Sequence, residues 1–419
     1  MRSIFTAAFA AALLICGQAD AATYYVSTSG SDTANGTSEA TAWKTLNKVT
    51  NATFAPGDAV RFKRGDTWTN QKLTIAESGT STSTINFWHY GTGARPKITG
   101  GVSGECIRLT GSYLVIDNLW VDACGWAGLR NQGNNNTVKF SEMSHNAVAV
   151  QIESNNGVYN DNSLWDNNVM SVLTRGGSDD SGAFGFSIQG DGNDIHHNTV
   201  SGSNAFSYDF GRDGGAFEVW GGNNNSIHHN VSEDNVAFGE LGKPSGDTAS
   251  GNSFSYNQVR ADCGANCAYS EGVVARGSGT SVGPTPSTTV QYNTIWLDGA
   301  STSAVVCHAT CPSSTVIRGN IAVADQDALW IDGSGWTETA NVFNGPVNVT
   351  PNGTSTTTSA GFVSAPTDLH LTGTSTAIDR AATSPFTTDL DGVTVPQNGN
   401  CSGGSYADSG AYEYDPVGC

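Results

Sequence analysis

A degenerate repeat of the form apolar-x-x-Asn-x-apolar runs through the middle of the chain and limits what it can fold into. It reads Ile195-His-His-Asn198-Thr-Val200, Ile227-His-His-Asn230-Val-Ser232 and Val290-Gln-Tyr-Asn293-Thr-Ile295, with a looser copy from Val316 to Ile321. Earlier copies run from Ile116 to Val121, Val138 to Met143 and Tyr159 to Leu164. The equivalent positions Leu119, Ser141, Asn162, Asn198, Asn230, Asn257 and Asn293 lie 22, 21, 36, 32, 27 and 36 residues apart, so the bare unit is about 22 residues. A unit that short cannot cover its own apolar side. Copies must stack, as the coils of a solenoid do.

Between the Asn positions lie short alternating runs, Val148-Ala-Val-Gln-Ile152, Phe184-Gly-Phe-Ser-Ile188, Ala216-Phe-Glu-Val-Trp220 and Ala328-Leu-Trp-Ile331. Alternation marks strands with one face inward. No segment has a helical period, and 51 glycines against 12 prolines and 3 methionines suit short strands joined by turns. Two or three strands per unit predict an all-β chain wound as a parallel β-helix. Asn at one turn position tolerates left-handed backbone and can hydrogen-bond the Asn of the coils above and below, at about 4.7–4.9 Å. The alternative is that Asn is simply common in β turns.

The chain's ends and charge bound its surroundings. Arg2, the apolar run from Ile4 to Ile15 and Ala19-Asp20-Ala21 read as a signal peptide over residues 1–21. This predicts a secreted, extracellular or periplasmic protein. No later stretch is long and apolar enough to span a bilayer. Removal of Cys16 leaves eight cysteines, whose spacing suggests Cys106 with Cys124, Cys263 with Cys267, Cys307 with Cys311 and Cys401 with Cys419. A net charge of −19 argues against nucleic acid as a partner, and the expected state is a monomer. Residues 22–105 read as an N-terminal cap with first coils, 106–345 as the helical core and 346–419 as an irregular C-terminal cap.

Motifs at both ends resemble a known group. Tyr24-Tyr-Val-Ser-Thr-Ser-Gly-Ser-Asp32, Ala42-Trp-Lys-Thr-Leu46, Pro56-Gly-Asp58 and Gly65-Asp-Thr-Trp68 are similar to the opening of secreted right-handed parallel β-helix proteins of the pectate-lyase-like superfamily. Leu369-His-Leu371, Ala377-Ile-Asp379, Asp389-Leu-Asp-Gly392 and Gly410-Ala-Tyr-Glu413 are similar to their closing segment. The resemblance implies a right-handed single-stranded β-helix and polysaccharide processing. It carries no active site across, because neither the Asn-Thr-Asp, Asp-Asp, Gly-His-Gly and Arg-Ile-Lys set of polygalacturonases nor the Asp-Pro-His-Glu motif of alginate epimerases is present.

The long spacings show where the solenoid is elaborated. Excess residues between Asn162 and Asn230 fall in Thr174–Gly182 and Ser203–Gly215, and loops on a rigid scaffold are where binding concentrates. They carry Arg175, Asp179, Asp180, Asp209, Arg212 and Asp213. In the strand that follows, Phe217 and Val219 face inward, so Glu218 and Trp220 face out, beside an outward Gly185 and near Gln189. Glu218 is the central catalytic candidate, with Asp213, Asp209 or Glu240 as its partner. Glu240 has two possible registers, one facing out and one facing in. Trp220, Arg212, Arg175, Gln189 and Glu271 are the substrate-binding candidates, and Arg212 is expected to tune Asp209 or Asp213. No cofactor is required by this reading. A weaker Ca²⁺ alternative rests on Asp179-Asp180 and Asp191-Gly-Asn-Asp194. His196-His197 and His228-His229 are expected to pack as stacked imidazoles rather than to hold zinc.

Three functions follow from this constellation. The first is a glycoside hydrolase using paired carboxylates on the exposed face. The second is a polysaccharide lyase or epimerase acting on uronates, with Arg175, Arg212, Tyr208 or His228 as members. The third is a glycan-binding or adhesion solenoid without catalysis.

Overall fold

The computed structural model describes residues 21–100, 103–172, 180–401 and 404–416. Three parallel sheets of 12, 11 and 10 strands run the length of the molecule. A typical coil uses Ser226–His228 in the first sheet, Val231–Glu233 in the second and Ala237–Gly242 in the third, before the chain climbs to Ser253–Ser255. Every strand of a sheet pairs with the strands one coil below and above it. This is the right-handed parallel β-helix that the repeat and the resemblance predict. No helix among the described residues is long and apolar enough to cross a membrane.

Inward side chains form columns down the axis. Tyr159, Ile195, Ile227, Phe254, Val290 and Ile317 line the first sheet and are fully buried. In the third sheet Phe186 stacks on Phe217 with ring centroids 5.2 Å apart. Each such side chain contributes about 1.5–3 kcal/mol of burial, so the core is a sum over coils.

The corner between the first two sheets explains the repeated asparagine. Asn198 Nδ2 donates to Asn230 Oδ1 at 3.0 Å, Asn230 to Asn257 at 3.0 Å and Asn257 to Asn293 at 2.9 Å. The second amide hydrogen of Asn230 goes to the Ile195 carbonyl, and its Oδ1 also accepts the Asn198 backbone N–H. The ladder continues through Asn320 to Asn341. One expectation needs correcting. The left-handed residue is the one before each asparagine, Asp161, His197, His229, Tyr256 and Tyr292, all with φ between 53° and 55°. Asn keeps an ordinary backbone because its amide must point inward, and the preceding residue turns the chain instead.

That left-handed column projects outward and stacks. Ring centroids of His197 and His229, His229 and Tyr256, and Tyr256 and Tyr292 are 5.2, 5.4 and 5.0 Å apart. The C-terminal segment runs back over it. Phe386 packs on His228, Tyr256 Oη donates to Ser384 Oγ at 2.8 Å, and His229 Nε2 bonds the Thr388 carbonyl at 3.0 Å. The paired histidines therefore pack as stacked rings, with His228 and His229 under this strap.

Disulfides join Cys106 to Cys124, Cys263 to Cys267 and Cys307 to Cys311. Cys401 is also disulfide-bonded. Its expected partner Cys419, residues 1–20 of the expected leader, Arg175 and Asp179 lie outside the described residues.

Because Asn230 is fully buried and both saturates and is saturated by its neighbours, Asn230→Ala should lower unfolding free energy by about 2–4 kcal/mol. Exposed Gln326→Ala should change it by less than about 0.5 kcal/mol. Urea denaturation measures both, and equal effects would contradict the role given to the ladder.

Candidate functional site

Parallel pairing in the third sheet sets one outward residue per coil into a row. The register gives Arg108, Arg130, Gln151, Ser187, Glu218, Glu240, Val274, Val306 and Trp330 in order. Glu218 and Glu240 thus occupy adjacent rungs, about 4.8 Å apart along the backbone. Of its two possible registers, Glu240 takes the outward one.

The neighbour of Glu218 on the other side is Ser187, which corrects the expected Gly185. A Cβ at Gly185 would strike Val200 Cγ1, a core atom, at 2.5 Å, so Gly185 faces inward. The alternation slips here because each coil of this sheet buries two consecutive residues, such as Ala149-Val150 and Ala216-Phe217.

Two like charges on adjacent rungs repel unless something compensates. Glu240 forms an ion pair with Arg276, one coil further on. Arg276 Nη1 also donates to His308 Nε2 at 2.9 Å, which leaves the imidazole proton on Nδ1. Burial, helped by the Arg276 charge, pushes the His308 pKa below the usual histidine value. Glu218 resolves the conflict differently. Burial first, and the Asp213 charge second, push its carboxyl up to about 8 against the pull of Arg276. At neutral pH Glu218 carries a proton while its neighbour is held as the carboxylate of an ion pair.

Trp220, two residues on, is half-buried and faces out. Its ring lies over Gly242 on the next coil, where a Cβ would come within 2.6 Å of Cζ3. An indole laid flat on the sheet gives a sugar ring an apolar surface. Gln189 stands one residue beyond the paired Ile188–Val219 step, as Trp220 does, and is exposed.

The wall of this groove is a hairpin inserted between the second and third sheets, Ala205–Ser207 against Gly211–Asp213. Successive residues of a strand face opposite ways. Asp213 faces the groove, where its charge raises the carboxyls of both Glu218 and Glu271. Arg212 faces the other side, donating from Nε to Asn204 Oδ1 at 2.6 Å. Asp209 sits at the hairpin tip and accepts the Ser207 hydroxyl. The bonds from Arg212 to the Asn204 side chain and carbonyl brace the hairpin. Glu271, at the start of the strand after Glu240, hydrogen-bonds Tyr269, and burial raises its pKa.

Arg276 and His308 were not among the sequence candidates. Arg276 was legible in principle, since alternation from the inward Val273 and Ala275 turns it out, beside the coil of Glu240. His308 sits inside the Cys307–Cys311 segment, whose spacing points to a disulfide. Asp180 opens the short strand Asp180–Gly182, which pairs with Met170–Val172. The one group of potential metal ligands among the described residues is Asp234 with Cys263 and Cys267, and both sulfurs are tied in a disulfide.

No protein-family model and no curated protein matches the sequence. Solved structures do. The pectate lyase Pel9A aligns with a TM-score of 0.64 at 16% identity, over 95% of this chain and 98% of that one. The chain has its fold. The GH136 lacto-N-biosidase from Eubacterium ramulus aligns with a TM-score of 0.55 at 17% identity over 80% of this chain, which spans 66% of that enzyme's length. The alginate lyase from Paenibacillus sp. str. FPU-7 gives 0.50 at 14% identity, over 71% and 97% of the two chains. At these identities the likeness describes the parallel β-helix fold alone, and the row of outward residues must speak for the site.

The raised Glu218 carboxyl has a consequence for stability. The folded group holds its proton to about pH 8, whereas the unfolded one releases it near 4.5. Folding is therefore opposed increasingly as pH rises from 4.5 to 8, and not at all below that window. Glu218→Gln should melt higher than the parent at pH 8, by an amount worth on the order of 1–3 kcal/mol, and nearly equal to it at pH 4. Thermal melts at the two pH values test this, and a pH-independent difference would show an ordinary carboxyl.

Proposed function

We propose that the protein is an exported polysaccharide-processing enzyme whose substrate lies across the outward face of the third sheet. The observation that carries the proposal is two carboxyl groups on adjacent rungs, Glu240 ion-paired with Arg276 and Glu218 pushed up to about 8 by burial and the Asp213 charge, with Trp220 beside them. A neutral carboxylic acid beside a carboxylate is the division of labour that glycosidic cleavage requires. In this reading Glu218 protonates the departing glycosidic oxygen. Glu240 attacks the anomeric carbon from the opposite side, and water then releases the sugar as Glu218 takes a proton back. Rung spacing of about 4.8 Å is near the short carboxyl separation of about 5–5.5 Å used by retaining enzymes, so the product keeps its anomeric configuration. Export is supported by the apolar leader in the sequence and by the disulfides.

Elimination at a uronate is the second reading, and the comparisons favour it. The alignment that spans nearly all of both chains is with a pectate lyase, and an alginate lyase is also similar. Arg276 would then turn from Glu240 and His308 to the uronate carboxylate, and His308 Nε2, released from that hydrogen bond, would accept the α-proton. Against it stands the acidity of the groove, where among the described residues Asp213, Glu240 and Glu271 lie around Arg276, which already pairs with Glu240.

One assay separates these readings. Purified protein is incubated with a panel of neutral and uronic-acid polysaccharides, and both reducing ends and near-ultraviolet absorbance are followed. Hydrolysis gives new reducing ends without absorbance, and Glu218→Gln should lower the rate by roughly 10²–10⁴-fold. Absorbance rising with every cleavage would replace hydrolysis by elimination. Binding without any product would replace both by a glycan-binding solenoid.

A further inference from the structure

The hairpin that walls the groove has a second face. Asp213 and Ala205, paired across it, turn toward Glu218, while Arg212 and Phe206, the next pair, turn away. Beyond them the tip exposes Tyr208 and Phe210. Phe206 and Phe210 are 62% and 73% exposed, more aromatic surface than a folded chain ordinarily turns outward. Facing Phe210 is the segment pinned by the Cys263–Cys267 disulfide, followed by Tyr269, 53% exposed. Between them lies a cleft of about 330 Å³ lined by Phe210, Arg212, Ala265, Asn266, Ala268 and Tyr269.

The walls of this cleft are tied together. Asn204, at the hairpin base, donates from Nδ2 to the Asn266 carbonyl at 3.0 Å and accepts from Arg212 Nε at 2.6 Å. Its size is at the low end for small-molecule sites and admits a sugar ring. The lining pairs flat aromatic faces with a few donors, which suits the apolar face and hydroxyl rim of a pyranose. The cleft also meets the groove at Tyr269, which hydrogen-bonds Glu271 two residues later, and both feel the Asp213 charge.

We propose that the cleft between Phe210 and Tyr269 is a distal subsite that holds an uncharged pyranose of the same glycan whose scissile bond lies at Glu218. This rests on the glycan-processing reading and adds a site outside the carboxylate row. Phe210 and Tyr269 stack on the two faces of the ring, and Arg212 and Asn266 meet its hydroxyls. A ring without charge is preferred because the adjoining hollow behind Arg212 is lined by Asp166, Glu233 and Asp234.

The test uses the full mature chain and its Phe210→Ala variant, which alters only an exposed tip. Binding of cello-, xylo- and manno-oligosaccharides and of oligogalacturonates, as disaccharides and hexasaccharides, is measured by calorimetry in the Glu218→Gln background to prevent turnover. The expected result is a neutral hexasaccharide bound roughly tenfold more weakly by the Phe210→Ala form, with disaccharide affinity unchanged. Tyr269→Phe should bind as the parent does, since the ring is retained. Equal hexasaccharide affinity with and without Phe210 overturns the subsite while leaving the cleavage proposal intact. Cleavage that is absent from the panel while hexasaccharide binding still depends on Phe210 overturns the enzyme reading and keeps the subsite. A preference for the oligogalacturonate in this cleft, or a parent chain that binds none of the sugars, overturns the inference as stated.

Discussion

Register between coils is the constraint on which everything else depends, and buried amides fix it. A parallel solenoid held by apolar columns alone could slide, since one apolar rung packs about as well on its neighbour's neighbour. The primary amide at Asn198, Asn230, Asn257 and Asn293 has two hydrogens and two lone pairs, and the corner offers partners for them only when coils are stacked in one alignment. A second set, Asn193, Asn225 and Asn252, does the same at the turn into the first sheet. Slippage by a residue would bury unsatisfied amides in every coil at once, a penalty that grows with the number of coils.

A fixed register is also what makes chemistry possible on such a scaffold. Glu218, Glu240, Arg276 and His308 are separated by tens of residues, yet they meet because all face out of the third sheet, Glu218 and Glu240 in one column and Arg276 and His308 in the column two residues on. The geometry brings a conflict with it, two carboxylates on neighbouring rungs. It is resolved asymmetrically, by a guanidinium on one side and a retained proton on the other. That asymmetry is what turns a row of identical residues into an acid and a base. The same arrangement opposes folding, and the core columns and amide ladders offset it.

How much of this could be read from the sequence follows from the range of the interactions. The Asn spacing and the two-residue alternation are local consequences of coil geometry, so the solenoid and the outward placement of Glu218 and Trp220 were legible. The partner of Glu218 was misread as Gly185 because the third sheet buries consecutive residues, and alternation counted from Phe184 slips by a place. Arg276 and His308 were missed for a different reason, since their roles arise only from contacts between coils. The C-terminal motifs were visible as motifs but not as physics. Asp389 accepts backbone N–H groups of Asp391, Val393 and Glu413, and Asp408 those of Asp379 and Tyr414. These acids satisfy the backbone of a segment with little sheet of its own, and no local pattern announces that.

Inserted loops leave the ladder untouched, and this explains where the site sits. Asn162 and Asn198 are 36 residues apart, yet Asn162 Nδ2 reaches Asn198 Oδ1 at 3.0 Å, as between coils with no insertion. In the next coil the inserted hairpin Ala205–Ser207 and Gly211–Asp213 leaves between the second and third sheets, so it rises beside the third sheet's outward row rather than over the asparagine corner. The strand Gly211–Asp213 then turns one residue toward that row and the next away from it, and a single hairpin becomes the wall of two compartments. A rigid stack thus allows the wall to vary in length and sequence without moving Glu218 relative to Glu240, because their separation belongs to the sheet and not to the loop.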